Sequence, residues 1–285
     1  MLSLVLTHPG GAHTDEFLAC CLLLADNEVA VLRAEPTPEQ LSDKTVAVVD
    51  VGGEWEPERM NFDHHQFPRD SEPLCALSLV LKHLGLYEDA LEFCDWLPVA
   101  EYIDTRGIIA TSRWLNVDRE TVSKLNSPIH VGMIRQFAQK SRHEPGEPIW
   151  ELMRCLGSDL QYFLKAMRSR LEFLEGVVQL TELSNGQKVV FLPRTEPLPE
   201  EPSSGIGRFI ERKGWKKEIV GMIYPDRRGD GYGISRFDDH PRMDLSGLSE
   251  QPDVHFAHKS GFVAKTSATE LPRLLELLEM GWQEE

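Results

Sequence analysis

The stretch L-S-L-V-L-T-H-P-G-G-A-H-T-D-E-F, residues 2–17, decides how the rest of the chain is read. Leu2 to Thr7 is short and apolar and is stopped by Pro9-Gly10-Gly11, the pattern of a buried strand running into a turn. A helix is predicted from Asp15 to Ala25, with Thr14 as its cap and two acidic residues in its first turn. Val29 to Leu32 reads as a second strand. Thr45 to Val51 (T-V-A-V-V-D-V) reads as a third, closed by Gly52-Gly53. Strands apolar on both faces and alternating with helices predict an α/β fold, with a parallel sheet covered by helices on both faces.

Further along, Leu74 to Leu84 and Ala90 to Tyr102 read as amphipathic helices, and residues 119–176 as mostly helical. At Val177 the period changes. V-V-Q-L-T-E-L, then Ser184-Asn185-Gly186, then K-V-V-F-L is a hairpin signal, because Asn-Gly suits a turn with positive φ. A short helix near Ile206 to Lys213 and a strand from Glu218 to Tyr224 follow. A capping box, Ser267 to Glu270, is expected to open a last helix over Leu271 to Met280. These signals predict two domains: residues 1–183, ending in a helical linker, and a smaller α+β domain over 184–285.

The chain of 285 residues has 30 Lys+Arg against 46 Asp+Glu, a formal net charge of −16. Residues 1–185 hold 16 basic and 29 acidic side chains (net −13), so nearly all the excess acid is in the first part. Such a balance opposes a sequence-independent DNA coat or a basic membrane-surface protein, since both depend on clustered cations. It leaves open a nucleotide or nucleic-acid substrate reached through metal ions that neutralise the carboxylates. The longest apolar run, Phe17 to Ala25, is too short to cross a bilayer, and no secretory leader is expected at the N-terminus. Cys20, Cys21, Cys75, Cys94 and Cys155 form no C-x-x-C pair. They are expected to be reduced core residues of a cytoplasmic protein.

Four places offer metal-ligand side chains, most of them where a strand meets a loop: His8, His13 and Asp15 after the first strand; Asp50 at the end of the third; Asp63-His64-His65; and Asp104. In an open α/β sheet, ligands collect beyond the carboxyl ends of the strands. A lone loop histidine is ordinarily surface, and an Asp after a strand often caps a helix. Several such groups beside apolar strands are costly without a partner. Imidazole and carboxylate without thiolate suit Mn²⁺, Fe²⁺, Co²⁺ or Zn²⁺. Even three of these histidines with three of the aspartates exceed the needs of one ion and match a pair about 3.5–4 Å apart, the apparatus for activating a hydroxide against phosphorus. Asp63 is expected to accept a hydrogen bond from a liganding imidazole, and Glu16 to serve the helix N-terminus.

The order H-x-x-x-x-H-x-D-E, V-V-D-V-G-G, F-D-H-H-Q and a later Asp resembles the DHH phosphoesterase superfamily. It is most similar to the branch that contains the eukaryotic melanocyte-proliferating-gene-one exonuclease. L-S-L-V-L-K-H-L-G and H-K-S-G-F extend the likeness along the chain. The resemblance implies two divalent ions, most often Mn²⁺, one held by His8, His13 and Asp50, the other by Asp15, Asp50, His64 and Asp104. It gives catalytic roles to His65, Asp50 and Asp63, with His65 on the substrate phosphate. It implies a second domain that closes over the metals and binds substrate through His258, Lys259, Ser260 and Gly261, with Lys265 and Arg236 beside them. The chain departs from these relatives in reading F-V-A-K after S-G, where they tend to carry a further glycine pair. The activity implied is hydrolysis of phosphodiester bonds in a nucleotide or short single-stranded nucleic acid, in the manner of a 3′→5′ RNA exonuclease. The alternatives are a pyrophosphatase-type hydrolase of phosphoanhydrides and a non-catalytic metal-binding protein.

Overall fold

The structure, a computed structural model, describes residues 1–125 and 127–283. They divide into two compact units, Met1–Ala166 and Met167–Glu285.

In the first unit the elements run β1 (Leu4–Thr7), α1 (Thr14–Leu24), β2 (Val31–Arg33), α2 (Pro38–Ser42), β3 (Val46–Val49), β4 (Trp55–Glu56), β5 (Asn61–Phe62), α3 (Ala76–His83), α4 (Tyr87–Phe93), α5 (Leu97–Arg106), α6 (Ile108–Trp114), α7 (Arg119–Lys124), α8 (Pro128–Ala138), β6 (Arg142–His143) and the start of α9 (Pro148–Val177). The strands form one sheet in the order β4-β5-β3-β1-β2-β6. β5, β3, β1 and β2 are parallel, whereas β4 and β6 at the two borders are antiparallel, so the expected parallel sheet is mixed at its edges. Leu6, Val46, Val48 and Val51 pack with Leu41 of α2 on one face. The alternate residues Val5, Ala47 and Val49 are equally buried, and α1 and α3 pack against β1, β3 and β5. Each buried Val or Leu side chain contributes about 1.5–3 kcal/mol.

Three details differ from the sequence reading, each for a local reason. The N-cap of α1 is His13 and not Thr14, because the Glu16 carboxylate accepts the His13 N–H at 2.7 and 2.8 Å. Where one helix is expected over Ala90 to Tyr102 there are two, since Pro98 in the first turn of α5 cannot continue α4. Strand β6 interrupts the predicted helical stretch by pairing His143 with Val31. The packing of α9 on α1 is close: a Cβ on Gly157 would lie 1.8 Å from the Cys21 carbonyl oxygen. Cys20, Cys21, Cys75 and Cys94 are buried as expected, but Cys155 is exposed.

The second unit holds the rest of α9, then β7 (Gln179–Glu182), β8 (Lys188–Phe191), α10 (Ile206–Arg212), β9 (Ile219–Pro225), β10 (Tyr232–Arg236), β11 (Val254–Ala257), β12 (Val263–Thr266) and α11 (Leu271–Met280). The sheet order is β11-β12-β10-β9-β8-β7, antiparallel except for β8 and β9. Leu274, Leu277 and Leu278 of α11 close its core over Val189, Ile223 and Ile234. The expected Ser267–Glu270 capping box does not form. The Ser267 N–H and hydroxyl both go to the Asp253 carbonyl, and Glu270 itself is the N-cap. The change of period at Val177 marks the end of α9, whereas the division between units falls inside that helix. No helix of the described residues is long and apolar enough to cross a membrane.

Candidate metal centre

Strand register places the candidate ligands. Thr7 pairs with Val49 and Val49 with Phe62 across three parallel neighbours, so the next residues, His8, Asp50 and Asp63, leave the sheet side by side. The connections after β1 and β3 run to opposite sides, which opens a crevice between those strands. Asp50 sits at φ 59°, a left-handed turn that Asp tolerates better than most residues, while its N–H still bonds to the Phe62 carbonyl at 3.0 Å. His13, Asp15 and Glu16 arrive on the first turn of α1, and Asp104 on the last turn of α5.

The donor atoms fall into three overlapping groups, each within 4.8 Å: His8, His13, Glu16 and Asp50; Asp50, His64 and His65; and His13, Asp15 and Asp104. His64 Nε2 bridges them, 3.0 Å from Asp50 and 3.1 Å from Asp104. The structure thus brings together His8, His13, Asp15, Asp50, His64 and Asp104, and adds Glu16. Glu16 both closes the helix N-terminus and reaches to 3.2 Å from His8 Nε2. Its second part was hidden in the sequence, because an acid at that helix position is fully explained by capping. Arg33 was missed too: it is 4% exposed at the end of β2 and donates to the Gly11 carbonyl at 3.0 Å, which fixes the loop carrying His8 and His13.

The electrostatics oppose this arrangement of carboxylates. Burial pushes Asp15 well above the usual carboxylate range, and the charges of Asp50 and Asp104 push it further. The Glu16 carboxylate raises His8 to about 9. Burial alone would lower His64, but Asp104 and Asp50 outweigh it and raise this imidazole to about 9. His8 Nε2, both Asp15 carboxylate oxygens, Asp50 Oδ1 and His64 Nε2 are buried and make no well-aligned hydrogen bond, although carboxylate oxygens lie 3.2 Å from His8 Nε2 and 3.0 Å from His64 Nε2. Unpaired buried polar atoms cost about 1–3 kcal/mol each. His8 Nδ1 lies 2.9 Å from the Pro9 carbonyl, which can only accept, so in the neutral ring that a cation would bind the proton belongs on Nδ1 and the Nε2 lone pair faces the cluster. Nitrogen and oxygen donors with no sulfur, one fixed tautomer and several orphaned atoms fit divalent cations.

Asp63 is 2% exposed and belongs to a different set of contacts. It accepts from Gly53 N–H at 2.6 Å and from the His65 ring Nδ1 at 2.7 Å. Burial works to raise this carboxyl, but these hydrogen bonds hold it below the usual range. A cavity of about 640 Å³ opens over His8, Asp50, His64 and His65, with Arg69 and Arg106 among its walls.

In the second unit, His258, Lys259, Ser260 and Gly261 form the turn between β11 and β12. Gly261 has φ 68°, and a Cβ there would lie 1.9 Å from the Asp244 carboxylate, so the fold itself demands glycine. Lys265 is ion-paired with Asp226 at 2.9 Å, and Arg236 with Asp239.

The fold and cluster define a candidate α/β metal centre at a strand-end crevice. Residues 4–87 match the MYG1 exonuclease family model, described as an uncharacterised protein family (UPF0160). Over 62 residues the chain is 47% identical to the MYG1 exonucleases of Bos taurus and Homo sapiens, an alignment covering 21% of this chain and 16% of each relative. Among solved structures, a DHH domain described as a member of the s1p family of ribosomal proteins aligns over 99% of this chain and 88% of its own, with TM-score 0.36 and 16% identity. A pGpG-specific phosphodiesterase, PggH from Vibrio cholerae, aligns over 98% and 99%, with TM-score 0.33 and 13% identity. The MYG1-like resemblance therefore holds over the segment that carries His8, His13, Asp15, Asp50 and Asp63 to His65; Asp104 lies beyond the matched residues.

Proposed function

We propose that the chain is a metal-dependent phosphoesterase that hydrolyses phosphodiester bonds of a nucleotide or short single-stranded nucleic acid. The observation that carries this reading is the cluster of buried imidazole and carboxylate atoms on His8, Asp15, Asp50 and His64, none with a well-aligned hydrogen bond, at the carboxyl edge of the sheet. His8, His13 and Asp50 would hold one divalent ion, and Asp15, Asp50, His64 and Asp104 a second, with Mn²⁺ as the favoured metal. When bound, such a pair supplies a nucleophile at neutral pH and neutralises charge building on the phosphoryl oxygens.

The residues themselves do the remaining work. Glu16 and Arg33 keep the His8–His13 loop in place. Asp63 accepts from His65 Nδ1 and so aims Nε2 outward, where the imidazolium form would donate its Nε2–H to the phosphate and pass that proton to the leaving oxygen, becoming neutral imidazole. Residues 184–285 would contribute substrate contacts through His258, Lys259, Ser260 and Gly261. Lys265 and Arg236, each paired with a neighbouring aspartate, would add cationic contacts beside them. The similarity to MYG1 exonucleases over residues 4–87 supports exonucleolytic action, and 3′→5′ action on RNA is the finer reading proposed.

Protein in Mn²⁺ should be offered pyrophosphate, cyclic dinucleotides, and short RNA and DNA labelled at either end. Release of mononucleotides from the 3′ end of RNA is expected. Turnover of pyrophosphate alone would point to a phosphoanhydride hydrolase, and no turnover with any divalent ion would point to a non-catalytic metal protein.

A further inference from the structure

We infer that an apolar cavity beside the metal cluster holds the base of the nucleotide whose phosphate the cluster binds, an inference that rests on the function proposed above. The cavity measures about 1090 Å³ and lies between the segment 96–104 and α8. Trp96, Val99 and Ile103 form one wall, and Val131 and Ile134 the other. Its floor is His13, Asp15 and Asp104, which are themselves members of the cluster. A group seated here therefore lies beside the proposed metal ligands.

Several observations select a base over another occupant. Trp96, Ile103 and Val131 are 41, 39 and 36% exposed, so large apolar surface is left facing the cavity where a flat ring can cover it. An indole face stacks on any base without reading its sequence. His13 and Asp104 also line the 640 Å³ cavity that carries Arg69 and Arg106, so the two cavities meet at the cluster, one apolar and one with cations for phosphate. His130 at the apolar rim is held by Thr14, whose Oγ1 lies 3.0 Å from its Nε2, and Arg135 stands nearby. Pyrophosphate has nothing to place in such a cavity; a nucleotide does.

The test compares adenosine 5′-monophosphate with ribose 5-phosphate, the same anion without its base, by calorimetry on the Mn²⁺-loaded chain. The nucleotide should bind at least tenfold more tightly. Trp96→Ala and Val131→Asp should each cut that preference below threefold while Mn²⁺ still titrates normally. Ile129→Asp, on a side chain 73% exposed and outside the cavity, should leave it intact. Equal binding of the two ligands, no measurable nucleotide binding, or full preference in both cavity variants would overturn the inference. Turnover is read separately. Hydrolysis of phosphodiesters without a base preference would remove the cavity assignment alone. A base preference without any hydrolysis would remove the proposed function and leave the cavity standing.

Discussion

Asp63 grips His65 twice: one carboxylate oxygen, Oδ1, accepts both the ring Nδ1 hydrogen at 2.7 Å and the His65 backbone N–H at 3.0 Å. The neighbouring His64 instead points its Nε2 between Asp50 and Asp104. Adjacent histidines thus face different tasks, one buried among carboxylates and one exposed on the rim.

This contrast predicts a split between two alanine variants. His64→Ala should lose metal, and turnover with it. His65→Ala should keep metal and lose turnover by roughly 10²–10⁴-fold. Metal content by atomic absorption, measured beside activity on a short RNA, decides the matter; equal metal loss in both variants would overturn the division of roles.

Asp15 predicts a reversal of stability with metal. Its carboxyl is buried beside Asp50 and Asp104 and makes no well-aligned hydrogen bond. Asp15→Asn should make the metal-free chain more stable by on the order of 1 kcal/mol, while the Mn²⁺-dependent gain in melting temperature shrinks. Paired thermal scans with Mn²⁺ and with a chelator measure both halves. A variant less stable in chelator would show that Asp15 earns its place through packing.

Thiol chemistry checks the core. Burial pushes the Cys20, Cys21 and Cys75 thiols well above their usual range, whereas Cys155 is exposed. One thiol, Cys155, should react rapidly with Ellman's reagent in the native chain, and the other four only in denaturant. Cys155→Ser should abolish the fast phase.

Gly157→Ala tests the contact of α9 on α1. The new methyl would meet the Cys21 carbonyl, so the helices must part, at a cost of ~3 kcal/mol. Urea unfolding measures it. Gly132→Ala, where nothing lies within 4 Å, is the control and should be near neutral or stabilising.

What could be read from the sequence was whatever had a strong period or a punctuating residue. T-V-A-V-V-D followed by two glycines marked β3 and its end, and Asn185-Gly186 marked the β7–β8 turn. Arg142 and His143 carry no alternation, so β6 could be found only through its pairing with Val31. The caps at His13 and Glu270 went unread because competing partners decided them: Glu16 took the His13 N–H, and Asp253 took Ser267. The six expected ligands could be picked out by residue type and by position at the ends of elements. Glu16 and Arg33 could not, since what they hold is apparent only once the Pro9–Gly11 loop has a shape.

The two-residue borders of the first sheet, β4 and β6, bear on how the chain survives synthesis. Each presents too little free backbone for a foreign strand to dock on, and each runs against its neighbour. If the cluster binds the cations proposed for it, a polypeptide that gathers mutually repelling acids at its centre would be at its loosest before they bind. Short borders let it pass through that stage with little risk of edge-to-edge aggregation.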